Sequence, residues 1–211
     1  MENKKKKLVL NILLLIVGLA LIISGVIKIS GGSKNNLTNK FNEIYTLTGK
    51  IAIDMKSASD LLLGISAKEN AKDYTGAAKD VEASILKLND AAAKIDPLGK
   101  KIITEFKTIV EAATDATVKE SGLKLIGLLE QRSVATLKLI NDSKQLVEPA
   151  KKYYDDLAAG KAGTYLDDNQ TYNLTQEINK DNKTLATLAT QIDAANQELA
   201  KAAGFQLKTV K

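Results

Sequence analysis

The chain has 211 residues, of which 30 are basic and 25 acidic, and it contains no histidine, cysteine or tryptophan. The absence of cysteine excludes disulfide bonds, thiolate catalysis, Cys-type zinc sites and a lipid-bearing cysteine anchor. Of the net charge of +5, +4 arises in residues 1–33, which hold five lysines and one glutamate, so residues 34–211 are nearly neutral. Because nucleic-acid binding requires a basic face, we expect no nucleic-acid partner.

An uncharged apolar segment comes directly after a basic start. Lysines occupy positions 4–7, and residues 8–27 then read LVLNILLLIVGLALIISGVI. At about 1.5 Å per residue, a helix of this length spans a hydrocarbon core of about 30 Å. The preceding lysines predict a cytoplasmic N-terminus and export of the chain beyond the apolar segment. We therefore expect a basic tail at 1–7 and a single-pass anchor at 8–27 that contacts the lipid of the cytoplasmic membrane.

A cleaved secretory signal is the alternative interpretation of this segment. The apolar run is longer than the core of about 7 to 15 residues that is usual for such signals, and the nearest small-x-small triplet after it, Ser30-Gly31-Gly32, is not of the A-x-A kind. The sequence therefore favours an uncleaved anchor. Beyond the anchor, flexible glycines and helix-capping side chains predict a hinge at residues 28–36.

Two helices, each with one buried seam, are predicted after the hinge, because apolar residues recur at alternating steps of four and three. A tight hairpin is expected near residues 68–73, and Asp96-Pro97 should end the second helix, since the residue before proline is disfavoured in a helix. The first seam comprises Leu37, Phe41, Ile44, Thr48, Ile51, Met55, Ala58, Leu62 and Ile65, and the second Tyr74, Ala78, Val81, Ile85, Leu88, Ala92 and Ile95.

The rest of the chain continues in the same helical pattern. We expect a third segment after Pro97, a break near Gly122, and a helical stripe that resumes at Ile126. Gly160, Gly163 and Asp167-Asp168-Asn169 predict a loop, and Thr171 is a candidate cap for the last helix. That helix has a seam of Leu174, Ile178, Asp181, Leu185, Leu188, Ile192, Ala195, Leu199 and Ala202.

These patterns predict an all-α fold. The sequence has no run of alternating β-branched residues that would indicate a strand, and short connections between helices favour antiparallel packing. We expect a transmembrane helix followed by an antiparallel bundle of four or five helices at residues 37–203, with a tail at 204–211. The polar seam residues Thr48 and Asp181 are candidates for a ligand or register site, although a position near a helix end or a polar partner is favoured for each.

The residue inventory supplies few of the groups that catalysis uses. Histidine and cysteine are absent, and no phosphate-binding or nucleophile motif is present. The pairs Asp155-Asp156 and Asp167-Asp168 could offer oxygen ligands to a hard cation, but their spacing fits solvated cap or loop residues better. We therefore expect no enzymatic activity and assign no catalytic, cofactor-binding or metal-binding residues.

A partner surface is predicted where tyrosines concentrate. Four of the six tyrosines of the chain surround the predicted loop, and tyrosine is favoured at interfaces because it offers rigid area with a polar tip. The alternative is that they shield one end of the bundle. The predicted surface comprises Tyr153, Tyr154, Tyr165, Asp167, Asp168 and Tyr172.

In its arrangement, the segment 4–66 resembles the sensor half of four-helix-bundle chemoreceptors and, more loosely, small anchored helical proteins of the LemA type. The resemblance rests on the basic start, the apolar helix and the hinge leading into a helix, without a diagnostic motif. We expect an extracytoplasmic module for protein interaction or envelope structure. The alternative is a small-ligand binding or sensing domain that signals through a partner protein.

Overall fold

The computed structural model describes residues 26–30 and 35–210. These residues form an all-helical bundle with one short two-stranded sheet. The elements are β1 (Val26–Ser30), α1 (Asn35–Leu63), α2 (Ile65–Asn70), α3 (Tyr74–Pro97), a π-helical segment (Leu98–Ile103), α4 (Thr104–Glu111), α5 (Ala116–Ala158), α6 (Asp168–Ala203) and β2 (Gln206–Val210).

Side-chain pairs along the helices establish their antiparallel order. On α1 and α3, Ser84 donates to the carbonyl of Ala58 at 3.0 Å, and Lys94 pairs with Asp54 at 2.5 Å. On α5 and α6, Lys124 pairs with Glu198 at 2.7 Å. The helices α1, α3 with its extension through α4, α5 and α6 therefore run alternately up and down, which confirms the predicted bundle.

The core is aliphatic, as the seams predict. Leu37, Phe41, Ile44, Ile51, Met55, Ala58, Leu62 and Ile65 of the first seam are buried, as are Ile178, Leu185, Leu188, Ile192, Ala195 and Leu199 of the last. In the second helix the buried residues differ from the predicted seam at two positions. Ser84 and Ala91 are fully buried, whereas the predicted Ile85 and Ala92 are half-buried. Fully buried alanines allow the helix backbones to approach closely.

The helix that was expected to end at Asp96-Pro97 continues instead. Pro97 keeps a helical backbone with φ −60° and ψ −35°, and the chain passes into the π-helical segment and then α4. Burial of Leu98, Ile102 and Phe106 stabilises this continuation.

The expected break near Gly122 is also absent, because α5 runs through it without interruption. Gly122 packs against Val110 of α4, where a Cβ atom on the glycine would lie 2.6 Å from Val110 Cγ1. The chain turns earlier, between α4 and α5, where the Asp115 carboxylate accepts hydrogen bonds from the amides of Thr117 and Val118. The glycine therefore serves close helix packing rather than a break.

The last helix begins at Asp168, not at the Thr171 cap that the sequence suggested. Asp167 is the N-cap residue, and its carboxylate accepts from the Gln170 amide at 2.8 Å while the Gln170 side chain accepts from the Asp167 amide. The Thr171 hydroxyl instead donates back to the carbonyl of Asp167. This reciprocal capping satisfies amides that a helix leaves unpaired.

A short antiparallel ribbon joins two distant parts of the chain. β1 pairs with β2, so Val26 lies opposite Val210 and Ser30 opposite Gln206. These residues belong to the predicted anchor end, hinge and C-terminal tail, where no strand was expected. Alternation over only five residues in each segment is too short a signal to indicate a strand, and the pairing itself is non-local.

The ribbon lies at one end of the bundle, here called the base. α1 starts beside it and α6 ends beside it. Because the helices alternate in direction, α2 and the loop at residues 159–167 lie at the opposite end, here called the tip.

The predicted anchor at 8–27 lies outside the described residues except for Val26 and Ile27, which belong to β1. Within ranges 26–30 and 35–210, no helix is both long enough and apolar enough to cross a membrane.

The contrast between two glycines of α5 gives a test of this packing. Gly122→Ala should lower the free energy of unfolding by about 1 kcal/mol, because overpacking against Val110 outweighs the gain in helix propensity. Gly127→Ala should raise it by about 0.5–1 kcal/mol, because nothing lies within 4 Å of the added Cβ. Urea unfolding of both variants measures the difference, and equal shifts would contradict the close contact.

Candidate functional site

Three of the predicted surface tyrosines form a packed cluster at the tip. The ring centroids of Tyr153 and Tyr154 lie 5.1 Å apart, and those of Tyr153 and Tyr165 lie 6.3 Å apart, both edge to face. Tyr154 is fully buried, while Tyr153 and Tyr165 are half-buried. This tyrosine cluster therefore shields the end of the core, which was the alternative interpretation of these residues.

The hydroxyl groups of this cluster have different environments. Tyr165 donates to the carbonyl of Leu146 at 2.8 Å and so fastens the loop to α5. The Tyr154 hydroxyl is buried and has no hydrogen-bond partner among the described residues. Burial raises the pKa of Tyr153, Tyr154 and Tyr165, and the nearby carboxylate of Glu69 raises the pKa of the first two further. All three hydroxyls therefore stay protonated at neutral pH.

The other three residues of the predicted surface are exposed. Tyr172 is 63% exposed on the first turns of α6, apart from the packed tyrosines. Asp167 and Asp168 lie at the start of that helix, where negative charge interacts favourably with the positive end of the helix dipole. The tip thus presents one exposed aromatic ring beside two carboxylates, here called the tip surface.

A cluster of charged residues on α5 and α6 was not predicted from the sequence. Lys138 lies 2.7 Å from a carboxylate oxygen of Asp142, 3.2 Å from one of Glu177 and 2.9 Å from one of Asp181. Carboxylate oxygens of the three acidic residues all lie within 4.8 Å of one another. Two features of the sequence could have indicated this cluster. They are the spacing of four residues between Lys138 and Asp142 and the interruption of the apolar seam by Asp181.

The cluster explains why the last seam contains an aspartate. Asp181 is buried, and burial raises its pKa, an effect opposed by Lys138 and reinforced by Asp142. In turn, hydrogen bonds from Lys138 to Asp142 and then to Asp181 and Glu177 raise the pKa of the lysine. Oxygen groups this close could bind a hard cation. Here the ammonium of Lys138 already lies among them and supplies the positive charge.

A groove runs along the outside of the same two helices. It has a volume of about 560 Å3 and is lined by Val134, which is 71% exposed, together with Gly127, Glu130, Lys138 and Asp181. We call it the α5–α6 groove. Its size falls in the range of pockets that hold small molecules, about 300–1,000 Å3.

The other polar seam residue, Thr48, lines a small internal cavity. Its hydroxyl donates to the carbonyl of Ile44 at 2.8 Å, as is common for threonine in a helix. The cavity has a volume of about 20 Å3 and is also lined by Arg132, Ser133 and Thr136. A volume of this size holds about one water molecule.

A polar pair connects α1 to α6 in the bundle interior. The Tyr45 hydroxyl donates to Asn196 Oδ1 at 2.7 Å, and both residues are buried. Burial is the main cause of the raised pKa of Tyr45, and it also lowers the pKa of the nearby Arg132. Non-local pairs of this kind are invisible in a sequence pattern because the partners lie 151 residues apart.

Comparisons of the chain with family models, with curated proteins and with solved structures found no match.

Removal of the central cation tests the charged cluster. Lys138→Met should lower the free energy of unfolding by about 1–3 kcal/mol near neutral pH, because the carboxylate of the buried Asp181 then loses its partner. Burial raises the pKa of Asp181, so its carboxylate takes up a proton as the pH falls and the loss should shrink at about pH 4. Urea unfolding at both pH values measures it. Lys124→Met, which removes an exposed pair with Glu198, is the control and should cost under about 1 kcal/mol.

Two tyrosine-to-phenylalanine variants test the interior hydroxyls. Tyr154→Phe should keep or raise the free energy of unfolding, by up to about 1 kcal/mol, because it removes a buried hydroxyl that lacks a partner. Tyr45→Phe should lower it by about 1–2 kcal/mol, because Asn196 loses its donor. Thermal unfolding followed by circular dichroism distinguishes the two variants. A larger loss of stability for Tyr154→Phe than for Tyr45→Phe would contradict these hydrogen-bond assignments.

Proposed function

We propose that this protein is a non-catalytic helical bundle, exported and held at the cytoplasmic membrane by residues 8–27, that acts as an interaction or envelope-structure module. In this proposal the tip surface, with Tyr172, Asp167 and Asp168, contacts a protein partner. The observation that carries the proposal is the position of this surface at the end of the bundle opposite β1, into which the predicted anchor leads.

The dimensions of the bundle support a role in spanning distance. α5 has 43 residues and α6 has 36, so at about 1.5 Å per residue they are about 65 Å and about 54 Å long. The aliphatic core makes these helices one packed unit. A partner bound at the tip would then lie about 50 Å from the lipid surface.

The chemistry of the tip also suits protein contact. Tyrosine is enriched at interfaces because it combines rigid apolar area with a hydroxyl group. Tyr172 lies on α6, and the capping box at the start of that helix fixes the backbone on which Asp167 and Asp168 lie. A surface that is already ordered loses little conformational entropy on binding.

A second candidate function is the binding of a small ligand and signalling through a partner. The observation that favours it is the α5–α6 groove, which has the size of a ligand site and is lined by the polar seam residue Asp181. The cavity beside Thr48 has room for about one water molecule and so does not favour an organic ligand.

Cysteine labelling in intact cells tests both candidates, because the native chain has no cysteine. Single variants Asn3→Cys and Ser33→Cys are treated with a membrane-impermeant thiol reagent. Tyr172→Cys reports on the tip, Val134→Cys on the groove, and Leu86→Cys, at a site 59% exposed on α3, is the matched control. We expect position 33 but not position 3 to label, on a full-length membrane-bound chain.

The same experiment separates the two functions. If a protein partner covers the tip, position 172 should label more slowly in cells than in purified protein, while positions 134 and 86 should label equally in both. Slower labelling at position 134 alone would favour a ligand in the groove. Labelling at position 3 alone would place the bundle in the cytoplasm and overturn the proposed topology, and equal rates at all three bundle positions would contradict both functions.

A further inference from the structure

The β1–β2 ribbon has two unlike faces. Phe205 is buried, Leu207 is half-buried against the core, and Gln206 between them is exposed. Because successive residues of a strand alternate between faces, position 208 shares the outward face of Gln206. The ribbon therefore directs one face at the bundle and the other away from it.

Two lysine positions lie directly opposite each other on the outward face. In the antiparallel register Lys28 is the partner of Lys208, flanked by the pair Ser30 and Gln206. Like charges in directly opposite positions destabilise a two-stranded ribbon. The adjoining helix ends do not offset this charge, since the first turn of α1 has no acidic residue and the last turn of α6 carries Lys201.

The strand begins where the predicted anchor must leave the lipid. With Val26 in β1, the apolar run that remains is residues 8–25. As a helix, these eighteen residues would extend about 27 Å, which is close to the thickness of the hydrocarbon core. In the proposed anchorage the ribbon, which follows the run without a spacer, would then lie at the depth of the lipid headgroups.

We propose that the outward face of the ribbon binds anionic phospholipid headgroups, so that β2 gives the bundle a second membrane contact besides the anchor. This inference rests on the proposed membrane anchorage. Pairing with β1 brings Lys208 to the membrane although it lies at the far end of the chain. Phosphate groups carry the charge opposite to that of lysine, and basic residues next to a membrane helix are attracted to anionic lipid.

The test uses the full chain, with Gln206→Cys labelled by a polarity-sensitive fluorophore, in vesicles of phosphatidylcholine alone or mixed with phosphatidylglycerol. We expect a blue shift in the mixed vesicles relative to the neutral ones, and its loss at high salt, because screening weakens contacts of exposed charges. Lys208→Gln should reduce the shift by about half, since one of two paired lysines is lost. Lys208→Arg should restore it, and Lys161→Gln, in the exposed tip loop, should leave it unchanged.

The outcomes distinguish the inference from the anchorage on which it rests. A chain that associates with neither vesicle type overturns both. A chain that is bound to both vesicle types, with the same emission in each, leaves the anchor in place and overturns the headgroup contact. A shift that Lys161→Gln reduces as much as Lys208→Gln does would show a general charge effect and would also overturn it.

Discussion

Burial of aliphatic seams is the constraint on which the rest of this structure depends. Each long helix has one apolar stripe, and the core has few aromatic rings to fill space. Small residues such as Ala58, Ala91 and Ala195 therefore bring the helix backbones close together, and packing of this density tolerates little change in volume. The contact of Gly122 with Val110 results from the same requirement. The antiparallel order is the arrangement that buries every stripe with short connections.

Polar groups inside such a core have to be compensated, and this chain compensates them in two ways. Hydroxyls on the seams, including those of Thr48, Ser133 and Thr136, donate to carbonyls one turn earlier in their own helix. The longer polar side chains pair between helices, as Tyr45 does with Asn196 and Lys138 with Asp181. In another register of the helices these buried polar groups would lose their partners, which costs free energy. The interhelical pairs therefore also favour one register over others.

The functional proposals for this protein concern the two ends of the bundle. At the base the ribbon joins β1 to β2 and so ties the first described strand to the last. At the tip the tyrosine cluster seals the core, and only Tyr172 among the predicted tyrosines remains exposed. The lateral α5–α6 groove is the main competing surface. Burial of the tyrosine cluster at the tip and pairing of the two strands at the base both stabilise the bundle. Beside them lie the tip surface and the outward face of the ribbon.

The sequence by itself determined the helical class, the seams of α1 and α6 and the loop before α6, because helical periodicity is a local property that repeats over many residues. It also drew attention to Asp181 and to the tyrosines, although it could not tell packed rings from exposed ones. Local breaking signals were less reliable. Pro97 and Gly122 both lie within continuous helical backbone, since burial of their neighbours outweighs the local preference of each residue.

Only the tertiary structure decided which distant residues meet. The pairing of Lys138 with Glu177 and Asp181, the Tyr45–Asn196 bond and the ribbon between Val26–Ser30 and Gln206–Val210 all join segments far apart in the chain. Each contact depends on how helices of fixed length align once their seams are buried. A periodic pattern specifies which face of a helix is buried, but it contains no information about which residue of another helix lies opposite. For that reason the charged cluster around Lys138, the α5–α6 groove and the ribbon became visible only in the folded chain, whereas the residues of the tip surface were predicted from the sequence.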